Sequence, residues 1–104
     1  MVTAARRPVA AETQFQQAVT DLADWLHIWW WHDEDPRRNK AGFPDLLLVG
    51  RRGVLWRELK TETGTVRKAQ QELGDLLSRS QDWAIWRPAD LASGRVKAEL
   101  EAIR

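Results

Sequence analysis

Residues 42–60 read Gly-Phe-Pro-Asp-Leu-Leu-Leu-Val-Gly-Arg-Arg-Gly-Val-Leu-Trp-Arg-Glu-Leu-Lys. Two short apolar runs rich in strand formers, 46–49 and 54–56, flank Gly50-Arg51-Arg52-Gly53, which has the composition of a tight hairpin turn. The segment therefore predicts two adjacent antiparallel strands. Residues two apart on a strand share a face, so Glu58 and Lys60 point the same way about 7 Å apart, and Leu59 points the other way. Asp45 opens the first strand directly after Pro44. Hairpin pairing sets the start of one strand beside the end of the next, so Asp45 and Glu58 converge.

Two convergent carboxylates repel each other unless something positive stands between them. Hard oxygen ligands left partly open to solvent suit Mg2+, which takes a few carboxylates and keeps several waters. Such a site serves phosphoryl transfer: the ion polarises a scissile phosphate and lowers the pKa of a bound water. A neighbouring ammonium, here Lys60, orients that water or neutralises the charge that develops on phosphorus oxygens.

The pair Pro44-Asp45 followed by Glu58-Leu59-Lys60 resembles the PD-(D/E)xK nuclease signature. Gly-Phe-Pro-Asp at 42–45, Glu-Leu-Lys-Thr-Glu at 58–62, Gly64 followed six residues later by Gln70, and a closing Trp-Arg-Pro-Ala-Asp at 86–90 together resemble the VRR-NUC branch of that superfamily. The resemblance spans residues 42–90. It implies Asp45, Glu58 and the backbone carbonyl of Leu59 as metal ligands, Lys60 as catalytic, and Gln70 as an active-site residue on the next helix. It also implies Glu12 as a ligand, since the family's first helix brings a Glu near the metal. Implied with these are a restriction-endonuclease-like core, Mg2+ as cofactor with Mn2+ able to substitute, and similarity to the small stand-alone VRR-NUC proteins of bacteriophages and bacteria.

A chain of 104 residues fits one small domain and leaves no room for a second core. The formal charge of +1 advertises no global affinity for nucleic acid, so only the local distribution of Arg and Lys can argue for it. Cysteine is absent, which excludes disulfides and thiolate zinc sites. No apolar run reaches membrane-spanning length and residues 1–9 lack the hydrophobic core of a signal peptide, so a soluble protein of the cytoplasm, without a membrane partner, is expected.

Residues 1–8 form a small basic lead, and 1–9 are expected to be flexible. Over 10–26, Phe15, Ala18, Val19, Leu22, Ala23 and Leu26 recur three and four apart, predicting an amphipathic helix. Glu12 in its first turn suits the helix dipole as well as a metal. The run 28–31 predicts a strand with Trp29 and Trp31 on one face and Trp30 on the other, either core plus subunit interface or a platform for stacking on unpaired bases. His32 ends it, as a plain strand-end residue or a group near the metal. Arg37, Arg38 and Lys40 make 35–41 a basic loop leading into Pro44-Asp45, suited to phosphate contacts. Thr65 is the expected cap of a second helix whose start carries Arg67 and Lys68, cations suited to a nucleic-acid backbone. Residues 83–87 predict a strand that Pro88 ends, and Val96, Leu100 and Ile103 predict a C-terminal helix.

The expected class is thus α/β, a small mixed sheet flanked by helices in the order helix, three strands, helix, strand, helix, with the crossover strand parallel to a neighbour. The expected function is a Mg2+-dependent endodeoxyribonuclease of replication, repair or recombination, selective for branched DNA such as four-way junctions or forks. Symmetric cutting of a junction needs two sites about a two-fold axis. A homodimer is therefore expected, with Trp29, Trp30 and Trp31 as its candidate interface. The alternatives are a non-cleaving module that holds DNA or a replication partner on the same scaffold, and a structural subunit whose acidic pair is merely solvated.

Overall fold

The computed structural model describes residues 8–35 and 39–104. Helix α1 (Pro8–Trp25) is followed by strands β1 (Trp29–His32), β2 (Leu46–Gly50) and β3 (Gly53–Leu59). Then come α2 (Lys68–Leu77), β4 (Asp82–Trp86), α3 (Pro88–Ala92) and α4 (Arg95–Ile103). The sheet has the order β1-β2-β3-β4, antiparallel across the first two pairs and parallel between β3 and β4, as the helical crossover through α2 requires. Among the described residues no helix is long and apolar enough to cross a membrane.

One face of the sheet is the core. Leu46, Leu48, Leu55, Leu59 and Trp86 alternate inward on their strands and meet Phe15, Val19 and Ala23 of α1 and Val96, Leu100 and Ile103 of α4. The α1 residues are spaced three and four apart, which puts them on one stripe. The helix closes when His27 adopts the left-handed conformation (φ 59°) and the Ile28 amide bonds back to the Ala23 carbonyl at 2.8 Å. That reversal feeds β1. The opposite face of the sheet is covered by α2 on the β4 side alone, where Gly74 packs so closely on the Trp83 indole that a Cβ there would collide with the ring.

Five features differ from expectation, one of them β4, which runs Asp82–Trp86 rather than 83–87. Pro8 and Val9, expected to be flexible, belong to α1, where proline at a helix start gives up an amide that has no partner anyway. Residues 1–7, with the rest of that lead, lie outside the described residues. Strand β1 is shifted by one residue to include His32, since all four of its residues pair with β2. Helix α2 begins at Lys68 rather than after Thr65: the Gln70 side chain accepts the Arg67 amide at 2.9 Å and closes the first turn there. A further short helix, α3, occupies 88–92, started by Pro88 and by Asp90, which accepts the Arg87 amide at 2.8 Å.

The core face also holds a charge. Arg57 is 1% exposed, with Nη2 bonded to Glu99 at 2.8 Å and to Asp82 at 3.0 Å, and Nη1 bonded to the Trp56 and Asp82 carbonyls. Its guanidinium lies 5.0 Å from the Trp86 ring centroid, and the Trp86 indole N–H donates to the same Glu99 carboxylate at 2.8 Å. Burial pushes the Glu99 carboxyl up, but hydrogen bonds from Arg95, Trp86 and Arg57 outweigh it and hold the group below its ordinary range. Removing one partner of such a set strands the others. Arg57→Ala is expected to cost about 3 kcal/mol of stability, measured as a lower urea midpoint with the slope unchanged.

Candidate active site

The turn Arg51-Arg52 fixes the hairpin register with Leu46 opposite Arg57, so the preceding residue, Asp45, stands beside Glu58. Asp45 Oδ2 accepts the Leu59 amide at 2.8 Å, which ties the start of β2 to the end of β3. Pro44 before it is fully buried. Gly42 has φ of +90°, and a Cβ there would collide with the Ala69 carbonyl of α2, so the loop can touch this helix only through a glycine. The approach to Asp45 is therefore anchored at both ends.

Glu58 is 1% exposed and its Oε1 has no hydrogen-bond partner. Its Oε2 accepts from the Gln70 side-chain amide at 2.7 Å. Gln70 thus works twice, capping α2 with its oxygen and holding Glu58 with its nitrogen. Burial pushes the Glu58 carboxyl up to about 9; the charge of Asp45 and a hydrogen bond to it act in the same direction, Lys60 opposes them, and Glu12 adds a further upward push. A bond between two carboxyl groups needs a proton on one of them. The orphaned oxygen is accordingly satisfied only when Glu58 is protonated or when a cation takes the proton's place.

Lys60 follows the end of β3, on the Glu58 face by strand alternation, and its amide bonds to the Trp86 carbonyl at 3.0 Å. The loop after it is strapped down by Arg87, whose Nη1 donates to the carbonyls of Thr61 at 2.6 Å and Gly64 at 2.9 Å. Sequence reasoning assigned Arg87 no role. The signal was its place in the Trp-Arg-Pro stretch directly behind the strand that pairs with β3. A hollow of about 150 Å3 opens beside the carboxylates, lined by Asp33, Lys40, Gly42, Phe43, Asp45, Arg67 and Gln70. Lys40 and Arg67 thus line the hollow from the loop and from the cap that precedes α2, and Lys68 is exposed in the first turn of that helix. Arg37 and Arg38 lie outside the described residues.

Glu12 is exposed on α1 and is felt by Glu58 through its charge. Among the described residues no three His, Asp or Glu side chains gather into a metal-ligating group. His32 pairs with Leu46 and stacks on Trp30 at 5.8 Å, on the core face and away from the carboxylates. Trp30 is also on that face, its indole N–H bonded to Asp24 at 2.8 Å. Of the three consecutive tryptophans only Trp29 and Trp31 are open, at 58% and 39% exposure. They share the face of Asp45 and Glu58.

The chain matches no family model, no curated protein and no solved structure.

Without a cation the raised Glu58 value makes stability depend on pH. The folded group titrates above its ordinary 4.5, so its contribution is complete below that value and is lost as pH rises towards about 9. In EDTA the melting temperature is expected to fall between pH 6 and pH 9. Glu58→Gln, which cannot ionise, should flatten that fall and melt higher than wild type at pH 9 by about 5 °C or more. Thermal melts followed by circular dichroism check this, and parallel pH curves for the two proteins would contradict the assignment.

Proposed function

We propose that this chain is a metal-dependent DNA endonuclease with a restriction-endonuclease-like core, acting on forked or four-way DNA. The observation that carries the proposal is Glu58: a buried carboxylate with an oxygen lacking any donor, facing a second carboxylate, two residues from a lysine on the same face. A fold that served only to hold DNA would be more stable with this pair replaced, because burying like charges together is costly. Strong perturbation of a carboxyl in such a setting is typical of working sites.

The donors present fit a hard divalent cation. Asp45 and Glu58 offer carboxylate oxygens and Leu59 a main-chain carbonyl, with Glu12 as an outer charge, and Mg2+ accepts so few protein ligands because it keeps its waters. Mn2+ suits the same set. Bound there, the ion supplies Lewis acidity at the phosphate and a water acidic enough to attack it. The Leu59 amide fixes the Asp45 carboxylate, and the Gln70 amide fixes Glu58, so neither needs to reorganise during the reaction. Lys60, on a loop strapped by Arg87, is positioned to orient the attacking water or to neutralise phosphoryl oxygens. Lys40, Arg67 and Lys68 supply cations for the flanking backbone phosphates, together with Arg37 and Arg38 of the same loop. Cutting a fork needs one such site, whereas symmetric cutting of a four-way junction needs a homodimer.

Labelled linear, forked and four-way DNAs, with an RNA control, incubated with Mg2+ and then with EDTA, test the proposal. Asp45→Ala and Glu58→Ala are each expected to abolish cleavage with the fold intact. If either variant cuts at the wild-type rate, the metal-site assignment is wrong.

Lys60→Ala should slow cleavage by about 100-fold or more while calorimetric titration with Mn2+ gives the wild-type affinity, because the ammonium acts on water or phosphate and not on the ion. A complete loss of Mn2+ binding in this variant would contradict the role given to Lys60.

A further inference from the structure

The face of the sheet that carries the carboxylates also carries an ordered set of aromatic side chains. Strand pairing arranges that face in rows. Trp29, Val49 and Val54 lie across from one another in the outermost row, Trp31, Leu47 and Trp56 in the next, and Asp45 and Glu58 in the row after that. Phe43 sits edge-on to both Trp31, at 5.9 Å, and Trp56, at 6.2 Å, and so joins the aromatic set of the middle row. Helix α2 covers only the β4 side. Trp29, Trp31 and Val54 are left open at 58%, 39% and 36%. Beside Val54 this floor runs into an open groove of about 760 Å3, lined by Ser78, Arg79 and Ser80 after α2 and by Gln81, Trp83 and Asp82, whose carboxylate is already paired with Arg57.

We infer that this uncovered face receives the bases of an unpaired DNA strand, which crosses Trp29 and Trp31 on its way to the carboxylates. The inference rests on the endonuclease reading and narrows its substrate to DNA that is single-stranded next to the cut.

Three observations favour bases over a second copy of the chain. At roughly 200 Å2 for one indole, the open side chains amount to about 200–300 Å2, whereas a stable dimer buries about 800 Å2 on each partner. The open residues are two indoles, whose flat π faces stack on any base irrespective of sequence, and the groove at their end offers an arginine and hydroxyls for phosphates. The rows are also spaced for a strand. Successive rows on one face lie about 7 Å apart, so at about 3.4 Å per stacked nucleotide Trp31 stands two nucleotides from the carboxylate row and Trp29 four. Paired bases present no face to stack on. Duplex DNA therefore gains nothing from these residues.

The test is binding by the full-length chain in EDTA, where nothing is cut, of an oligo(dT) strand and of a blunt duplex of equal length, followed by fluorescence anisotropy. Changing Trp29 and Trp31 together to Ala should weaken oligo(dT) binding by about 10-fold or more and duplex binding by less than about two-fold, while Phe at both positions restores most of the loss. Trp25→Ala, a still more exposed indole elsewhere (76%), should leave both affinities alone. Unchanged oligo(dT) affinity in the double Ala variant overturns the inference. So does light scattering that finds wild type at twice the 12.0 kDa chain mass and the double variant at one, since the face then holds a second copy. Binding that depends on the two tryptophans in a protein that cuts no DNA with Mg2+ would sink the endonuclease reading and leave only the base-binding face standing. Cutting with tryptophan-independent binding would do the reverse.

Discussion

Glu58 and Arg57 are neighbours on one strand, and both are buried titratable groups facing opposite ways. On the core side Arg57 is met by two carboxylates, two carbonyls and an aromatic ring, so its charge is compensated in every direction. On the other side Glu58 meets one amide donor and another carboxylate. The strand is held rigid by the first of these and burdened by the second. Placing both in adjacent positions lets the stabilising knot bear directly on the strained one: β3 cannot shift to relieve Glu58 without pulling Arg57 away from Glu99 and Asp82.

The same contrast separates structure from function in this molecule. Ion pairs such as Arg95 with Glu99 and Asp90 complete a local network and leave no atom wanting. Glu58 Oε1 is wanting. A buried acceptor without a donor costs more than an ordinary hydrogen bond returns, and one held next to another carboxylate is stabilised only by something that arrives from outside, a proton or a cation. The helix that covers Glu58 also carries the amide that orients it, so covering and orienting are one event.

The central hairpin was legible because its determinants are local. The Gly-Arg-Arg-Gly turn and the apolar runs on either side fix a register, and the register alone brings Asp45 to Glu58. The alternation of Trp29, Trp30 and Trp31 followed from the period of a strand, and α1 and α4 from spacings of three and four. What was not legible depends on residues far apart in the chain. Arginine in a strand reads as solvent-facing, and the partners that let Arg57 be buried are remote in the chain: Asp82, Trp86 and Glu99, the last 42 positions on. Thr65 looked like the better helix cap, and Gln70 displaced it because its other end is already fixed by Glu58 across the sheet. Gln70 itself reads as surface without the family resemblance. Arg87 had a recognisable neighbourhood but no visible task, since the carbonyls it holds lie more than twenty residues upstream.

Gly42 sets different tolerances on its two sides. Its contact with the Ala69 carbonyl is one anchor and the bond from Asp45 to the Leu59 amide is the other, with only Phe43 and Pro44 between them. A residue inserted in that short span would pull Asp45 out of register with Glu58 or lift the chain off α2. A change of length before Gly42 leaves both anchors in place, and doubling the length of a flexible loop in general costs only about 0.6 kcal/mol. Length variation in proteins built on this plan should therefore collect before the glycine, where the segment can grow or shrink while the carboxylates keep their places.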